Sequence, residues 1–154
     1  MPGPLSNLKV LDFSTLLPGP YATMLLADMG ADVLRVEAPG RLDLTRVMPP
    51  LEDGVSTSHT FLNRGKRSLG LDLKQEGSAD LVKQLVTEYD VVVEQFRPGV
   101  MDRLGIGYET LKAINPNLIY CAITGYGQTG PYKDRAGHDI NYVSLAGVSS
   151  HCGR

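Results

Sequence analysis

Two hydrophobic rhythms alternate along this chain. KVLDFS (9–14) is short, partly β-branched or aromatic, and ends at LPGP, which predicts a strand leaving into a loop. PYATMLLADMG (20–30) follows and places Tyr21, Met24, Leu25 and Met29 on one helical face. Pro20 suits the first helical turn and Gly30 stands where a C-cap belongs. DVLRVEAP (32–39) predicts the next strand, closed by Pro39-Gly40, so the first forty residues form a βαβ unit. Residues 40–67 carry no clear period and predict a long surface excursion, ending in the basic run NRGKR (63–67).

The alternation then resumes. SLGLDL (68–73) predicts a third strand, and Ser78 is placed to cap a helix over 78–89 with Leu81, Val82, Leu85, Val86 and Tyr89 on one stripe. VVVEQF (91–96) is nearly all apolar, the pattern of a strand buried on both faces of a parallel sheet. A short helix opened by Pro98, a helix over 108–116 and a fifth strand within LIYCAITGYG (118–127) follow. After the loop GYGQTGP, DINYVSLAGV (139–148) predicts a last helix with Ile140, Val143, Leu145 and Ala146 on its apolar face. Strands alternating with helices predict an α/β fold, a Rossmann-like, parallel, doubly wound sheet. No repeat, low-complexity segment or dividing linker interrupts it, so residues 1–154 are expected to form a single domain.

Composition narrows the function classes. Apolar residues make up 42% and charged residues 21%, an ordinary globular balance, and the net charge of −2 suggests neither a nucleic-acid nor a membrane surface. No apolar run approaches the roughly 20 residues a bilayer requires, and MPGPLSNLKV lacks the basic and apolar regions of a signal peptide. Cys121 and Cys152 form no CxxC pair, which leads us to expect reduced thiols and a cytoplasmic setting.

Ligands of doubly wound sheets bind beyond the C-terminal ends of the strands. The candidate stretches are therefore STLLPGP, EAPGR, DLKQ, EQFRPG and TGYGQTGP. The first helix is not opened by a dinucleotide fingerprint, and no P-loop or nucleophile elbow is present. GYGQTG has the G-x-G-x-x-G spacing, but PYKD after it is a poor helix start, so it reads better as a substrate-lining loop. Arg64, Lys66 and Arg67 crowd beside Gly65, an arrangement that suits either phosphate binding or a solvated basic turn; Arg97 could join such a patch. His59, His138 and His151 share no metal-ligand spacing, so no metal site is expected. His138 by itself reads as a helix-start histidine, and Asp139 beside it is an ordinary first-turn residue that does not face it.

Long blocks, VLDFSTLLPGPYATMLLADMGADVLRVEAPG, NRGKRSLGLDLK and DVVVEQFRPGVMDRLGIGYETLKAINPNLIYCAITGYGQTGP, resemble the family III CoA-transferases over about residues 5–154. AGHDINYVSLAGV is similar to the alpha-methylacyl-CoA racemase branch, in which GHDINY carries a catalytic histidine. The resemblance implies the N-terminal part of the family's large domain and an acyl-CoA thioester as substrate, with no further cofactor. It makes His138 a base that removes the α-proton of a 2-methylacyl-CoA through an enolate. Carried across, Leu71, Asp72, Leu73, Glu94, Phe96, Arg97, Gly137, Asn141 and Tyr142 would line the acyl-CoA pocket, with Arg64, Lys66 and Arg67 on phosphates.

Two positions depart from the racemase pattern. Ala38 stands where racemases often carry arginine, and 48–62 looks more like the transferases, so transfer of CoA between carboxylic acids is the alternative activity. A non-catalytic CoA-binding or assembly module is a third. Members of the family are more than twice as long, and their second catalytic aspartate lies beyond the stretch matched here; no Asp or Glu follows Asp139. The expected partners are an acyl-CoA and either a second copy of this chain or a complementary C-terminal polypeptide.

Overall fold

Val10 and Leu11 are wholly buried, on opposite sides of one strand, because β1 (Lys9–Asp12) runs through the middle of a five-stranded parallel sheet. The computed structural model describes residues 3–151. They fall into two units, one ending at Ile123 and one beginning at Thr124.

In the first unit, β1 pairs with β2 (Asp32–Glu37) on one side and β6 (Val91–Glu94) on the other. β5 (Arg67–Gly70) extends the sheet beyond β2, and β7 (Ile119–Ala122) extends it beyond β6. The order β5-β2-β1-β6-β7 is that of a doubly wound sheet. The two-residue period of the strands sorts the core by face. Leu11, Leu34, Val36 and Val92 meet Val82, Val86, Met101, Ile106 and Leu111 on one side. Val10, Val33, Val91 and Val93 meet Leu26 and Ala27 on the other. The first set of partners comes from α3 (Ser78–Val86), α4 (Val100–Arg103), α5 (Tyr108–Ile114) and the turn between the last two; the second comes from α1 (Pro18–Asp28). Apolar faces on both sides explain why the central strands read as continuous hydrophobic runs.

Three local expectations are corrected. α1 turns Pro20, Thr23 and Met24 inward, while Tyr21 and Leu25 are exposed, because the Thr23 hydroxyl is bonded to buried Asp12 and fixes the helix's rotation. Ser78 does not cap α3; Gly77 does, with φ of 81°, and the Ser78 hydroxyl donates to the Asp72 carbonyl at 2.7 Å. Residues 40–67 are not a bare loop. They hold a 3-10 turn (Leu44–Val47), a hairpin of β3 (Leu51–Glu52) and β4 (Val55–Ser56), and helix α2 (Thr57–Asn63). The hairpin turns on Asp53 and Gly54, both at positive φ, the Asp-Gly pairing that a tight two-residue turn favours.

The second unit carries α6 (Asp139–Leu145) after the predicted loop. The rings of Tyr126 and Tyr132 meet edge to face at 5.8 Å, and those of Tyr126 and Tyr142 at 5.3 Å. No residue of α6 is buried, and Ile140 and Leu145 of its expected apolar face are exposed. No helix among the described residues is long and apolar enough to cross a membrane. Cys152 lies outside the described residues.

Leu11 is fully buried at the centre of the larger core. Leu11→Ala is expected to lower unfolding free energy by about 2–5 kcal/mol. Urea denaturation should show an earlier midpoint with the denaturant slope preserved.

Candidate functional site

The strand order reverses between β1 and β6, so the crevice beyond their C-terminal ends is where this architecture receives ligands. Gln95, following β6, spans that point: its Nε2 donates to Thr15 Oγ1 at 2.9 Å. Gln95 Oε1 is buried and has no hydrogen-bond partner among the described residues. Gly19 is required at the opposite wall, because a Cβ there would overlap the Ser14 side chain. Phe96 packs against the core and Arg97 is exposed at the strand end.

Asp12 ends β1 wholly buried, and its carboxylate is fully engaged. Oδ1 accepts from the Ser14 amide at 2.9 Å and the Ser14 hydroxyl at 2.5 Å, and Oδ2 from Thr23 Oγ1 at 2.5 Å. Lys66 Nζ lies 3.5 Å from Oδ2 and also donates to the Pro20 carbonyl and Asn63 Oδ1. Burial pushes the Lys66 ammonium down to about 8, with Asp12 opposing the shift.

A second polar cluster sits under the excursion. Arg35, in the middle of β2, is buried with Nη2 2.5 Å from Asp43 Oδ2 and 2.9 Å from Glu37 Oε2. Arg46 Nε donates to the other oxygen of Glu37 at 2.7 Å. Burial alone would raise the Asp43 carboxyl, but the Thr45 amide and hydroxyl, the Leu16 amide and Arg35 together hold it below the usual range. Thr45 Oγ1 donates to Asp43 Oδ1, so it accepts from His59 Nδ1 at 3.0 Å. That assignment leaves Nε2 as the acceptor facing Arg35 Nη1 at 3.5 Å. Burial, reinforced by Arg46 and Arg35, lowers the His59 pKa against the pull of Asp43 and Glu37.

The basic run is dispersed by the fold. Arg64 pairs with Asp28 at 2.5 Å and Arg67 with Asp32 at 2.6 Å, both at the surface, while Lys66 points inward to Asp12. Three cations that are neighbours in sequence thus serve three separate carboxylates. Leu71 and Leu73 pack on the core; Asp72 Oδ1 accepts from the Lys74 amide at 3.0 Å, closing a turn. Glu94 is buried and its Oε2 accepts from the Phe96 amide at 2.7 Å. Desolvation raises its carboxyl above the usual range, with Asp102 adding, despite that amide and the Tyr120 hydroxyl.

In the second unit His138 is exposed at the N-terminal boundary of α6. Its amide donates to Asn141 Oδ1 at 2.9 Å, which fixes the chain's entry into the helix. Tyr142 donates its hydroxyl to the Gly137 carbonyl at 2.7 Å, and its ring fills the space a Cβ on Gly125 or Gly137 would need. Gly137, His138, Asn141 and Tyr142 are therefore one local assembly, as their sequence proximity suggests. Asp12, Arg35 and Asp43 were not singled out in the sequence, His59 was weighed only as a metal ligand, and Gln95 only as part of EQFRPG. For Asp12 and Arg35 a single polar residue inside an apolar run was the available signal.

The fold defines a doubly wound α/β protein, an architecture whose ligands bind at the carboxyl edge of the sheet. Residues 5–154 match the family model of CoA-transferase family III, and the chain belongs to that family. It is 43% identical to human succinyl-CoA:glutarate CoA-transferase over 146 residues, covering 94% of this chain and 33% of the relative. It is 46% identical to human alpha-methylacyl-CoA racemase over 151 residues, covering 97% of this chain and 36% of the relative. The crystal structure of a CAIB/BAIF family protein from Brucella suis superposes with a TM-score of 0.89 at 44% identity, covering 96% of this chain and 40% of that one. The chain spans between about a third and two fifths of these proteins' lengths.

The lowered His59 pKa gives a signed expectation. Unfolded histidine takes up a proton near its usual pKa of about 6.5 while the folded ring resists it. Stability should therefore fall as pH drops below about 6.5, until the folded pKa is passed. His59→Gln should flatten that decline, read from urea midpoints between pH 7 and pH 5.

Proposed function

We propose that this chain is the acyl-CoA-engaging N-terminal part of a family III enzyme, with His138 as the base that removes the proton α to the thioester carbonyl. The observation carrying this reading is an exposed imidazole at the start of α6, its backbone locked by Asn141. Imidazole exchanges protons near neutral pH, as an α-proton base requires. The C–H electron pair passes into the thioester as an enolate, and a proton returned to the opposite face inverts the centre. The resemblance puts the returning acid in the part of the relatives that this chain does not cover. On this reading the substrate is a 2-methyl-branched acyl-CoA. Leu71, Leu73, Phe96 and exposed Arg97 are the proposed CoA contacts in the first unit, and Arg64 and Arg67 would reach phosphates only by leaving Asp28 and Asp32.

A second activity is favoured by the names of several relatives. Human succinyl-CoA:glutarate CoA-transferase and Acetobacter aceti acetyl-CoA:oxalate CoA-transferase are each 43% identical to this chain. Both names pair a CoA thioester with a dicarboxylic acid. In that chemistry a carboxylate attacks the thioester carbonyl to give an anhydride and free CoA thiolate; the thiolate then attacks the acceptor's acyl carbon in the anhydride, and the donor acid leaves as its carboxylate.

Incubation with a 2-methylacyl-CoA in deuterium oxide separates the two. The α-proton reading expects deuterium at C2, reduced roughly 100-fold or more by His138→Ala, as loss of a general base produces. Deuteration unaffected by that substitution would sink the role of His138. Glutaryl-CoA formed from succinyl-CoA and glutarate, with no deuteration, would establish the transfer reading instead.

A further inference from the structure

Among the described residues only Leu16 and Asp53 carry a side chain at positive φ. Asp53 turns the hairpin of β3 and β4, and an aspartate tolerates that region because its short polar side chain bonds locally. Leu16, at φ of 63°, has no such group, and its side chain is exposed, so its own packing does not hold it there. The left-handed region is disfavoured roughly tenfold for such a residue. A strained residue of this kind persists only where its surroundings enforce it, and such residues gather at ligand sites.

The enforcing group is Asp43, whose Oδ2 accepts from the Leu16 amide at 3.1 Å. The carboxylate is itself immobile. Arg35 Nη2 donates to the same oxygen at 2.5 Å, and the Thr45 amide and hydroxyl donate to the other at 2.9 and 2.8 Å. Asp43 is buried with both oxygens committed. The loop it grips leaves the C-terminal end of β1, at the point where the strand order reverses. Thr15, next to Leu16, accepts from Gln95, which leads directly into Phe96 and Arg97, the CoA contacts proposed after β6. Three successive loop residues are thus tied down: Ser14 to Asp12, Thr15 to Gln95 and Leu16 to Asp43. Only the last of these ties comes from residues 40–67.

We infer that Asp43 is a positioning residue for CoA binding: by gripping the Leu16 amide it holds the loop after β1 in the strained shape that walls the crevice. This inference rests on the acyl-CoA reading and holds for either activity, since both must seat CoA before any chemistry.

The test measures binding of coenzyme A to the full chain by calorimetric titration. Asp43→Asn is expected to weaken it roughly tenfold, the preference leucine regains for other conformations once the grip is loosened. The same change made together with Leu16→Gly should weaken binding less than about threefold relative to Leu16→Gly alone, because glycine takes positive φ without help. Thr45→Val removes a hydrogen bond from the other oxygen of Asp43. It should lower the urea midpoint and leave CoA affinity within about twofold, since the tie to Leu16 is untouched. If Asp43→Asn does not fold, the surface variants Leu16→Val and Leu16→Gly decide the matter. The β-branched residue tolerates positive φ worst, so Leu16→Val should bind CoA the more weakly of the two. The positioning role is overturned by no loss in Asp43→Asn, by an equal loss with and without Leu16→Gly, by an equal loss in Thr45→Val, or by Leu16→Val binding as tightly as Leu16→Gly. Failure of the wild type to bind coenzyme A overturns the acyl-CoA reading and the inference with it.

Discussion

A carboxylate with no exposure to water organises the sheet's ligand-facing edge. Asp12 ends the central strand and accepts from the Ser14 amide and hydroxyl and from Thr23, and it faces Lys66. Those four donors come from the loop after β1, from α1 and from the turn before β5. An ionised group in an apolar interior is tolerated only when its lone pairs are filled, and here the filling groups are the segments that shape the crevice. The rotation of α1, the close approach of Gly19 to Ser14 and the bridge from Gln95 to Thr15 all follow from that anchor. The carboxylate holds these segments together and is itself fully committed to them.

The same logic runs under the excursion, with more partners. Arg35 sits in a strand whose other central positions are apolar, and it is held there by Asp43 and Glu37. Thr45 and His59 close the network by filling what Asp43 and Arg35 leave open. Residues 40–63 are therefore fixed through polar contacts to β2, with apolar side chains such as Leu44, Val47 and Phe61 left exposed. The second unit is built differently, from stacked tyrosines and a short helix without a buried residue.

The sheet and its helices were legible because their information is periodic and local. VVVE announced a two-faced strand, and the i,i+4 spacing of Val82 and Val86 announced the buried stripe of α3. The excursion was recognised but its internal elements were missed, because their order is polar and non-local: Asp43 makes sense only once Arg35 and Leu16 are beside it. Its hairpin and helix did leave short signals, Asp53-Gly54 and the Ser56 cap, whose Oγ accepts from the His59 amide. The GHDINY segment forms a local assembly because its members meet within one turn of chain, while the role proposed for His138 came from the resemblance and not from that spacing. The separate pairings within the basic run were not legible, because adjacency in sequence says nothing about which carboxylate each cation will find.

That dispersal has a consequence for how the molecule responds to its solution. The pairs Arg64–Asp28 and Arg67–Asp32 lie at the surface, whereas Lys66 and Asp12 are sealed from water. Mobile ions shield exposed charges within a distance of about 8 Å at physiological concentration and reach enclosed ones far less. Added electrolyte therefore sorts three consecutive tethers by depth. It loosens the two outer clasps on the segment joining α2 to β5 and leaves the inner one fastened, so concentrated salt would make that segment pivot about Lys66 without coming free.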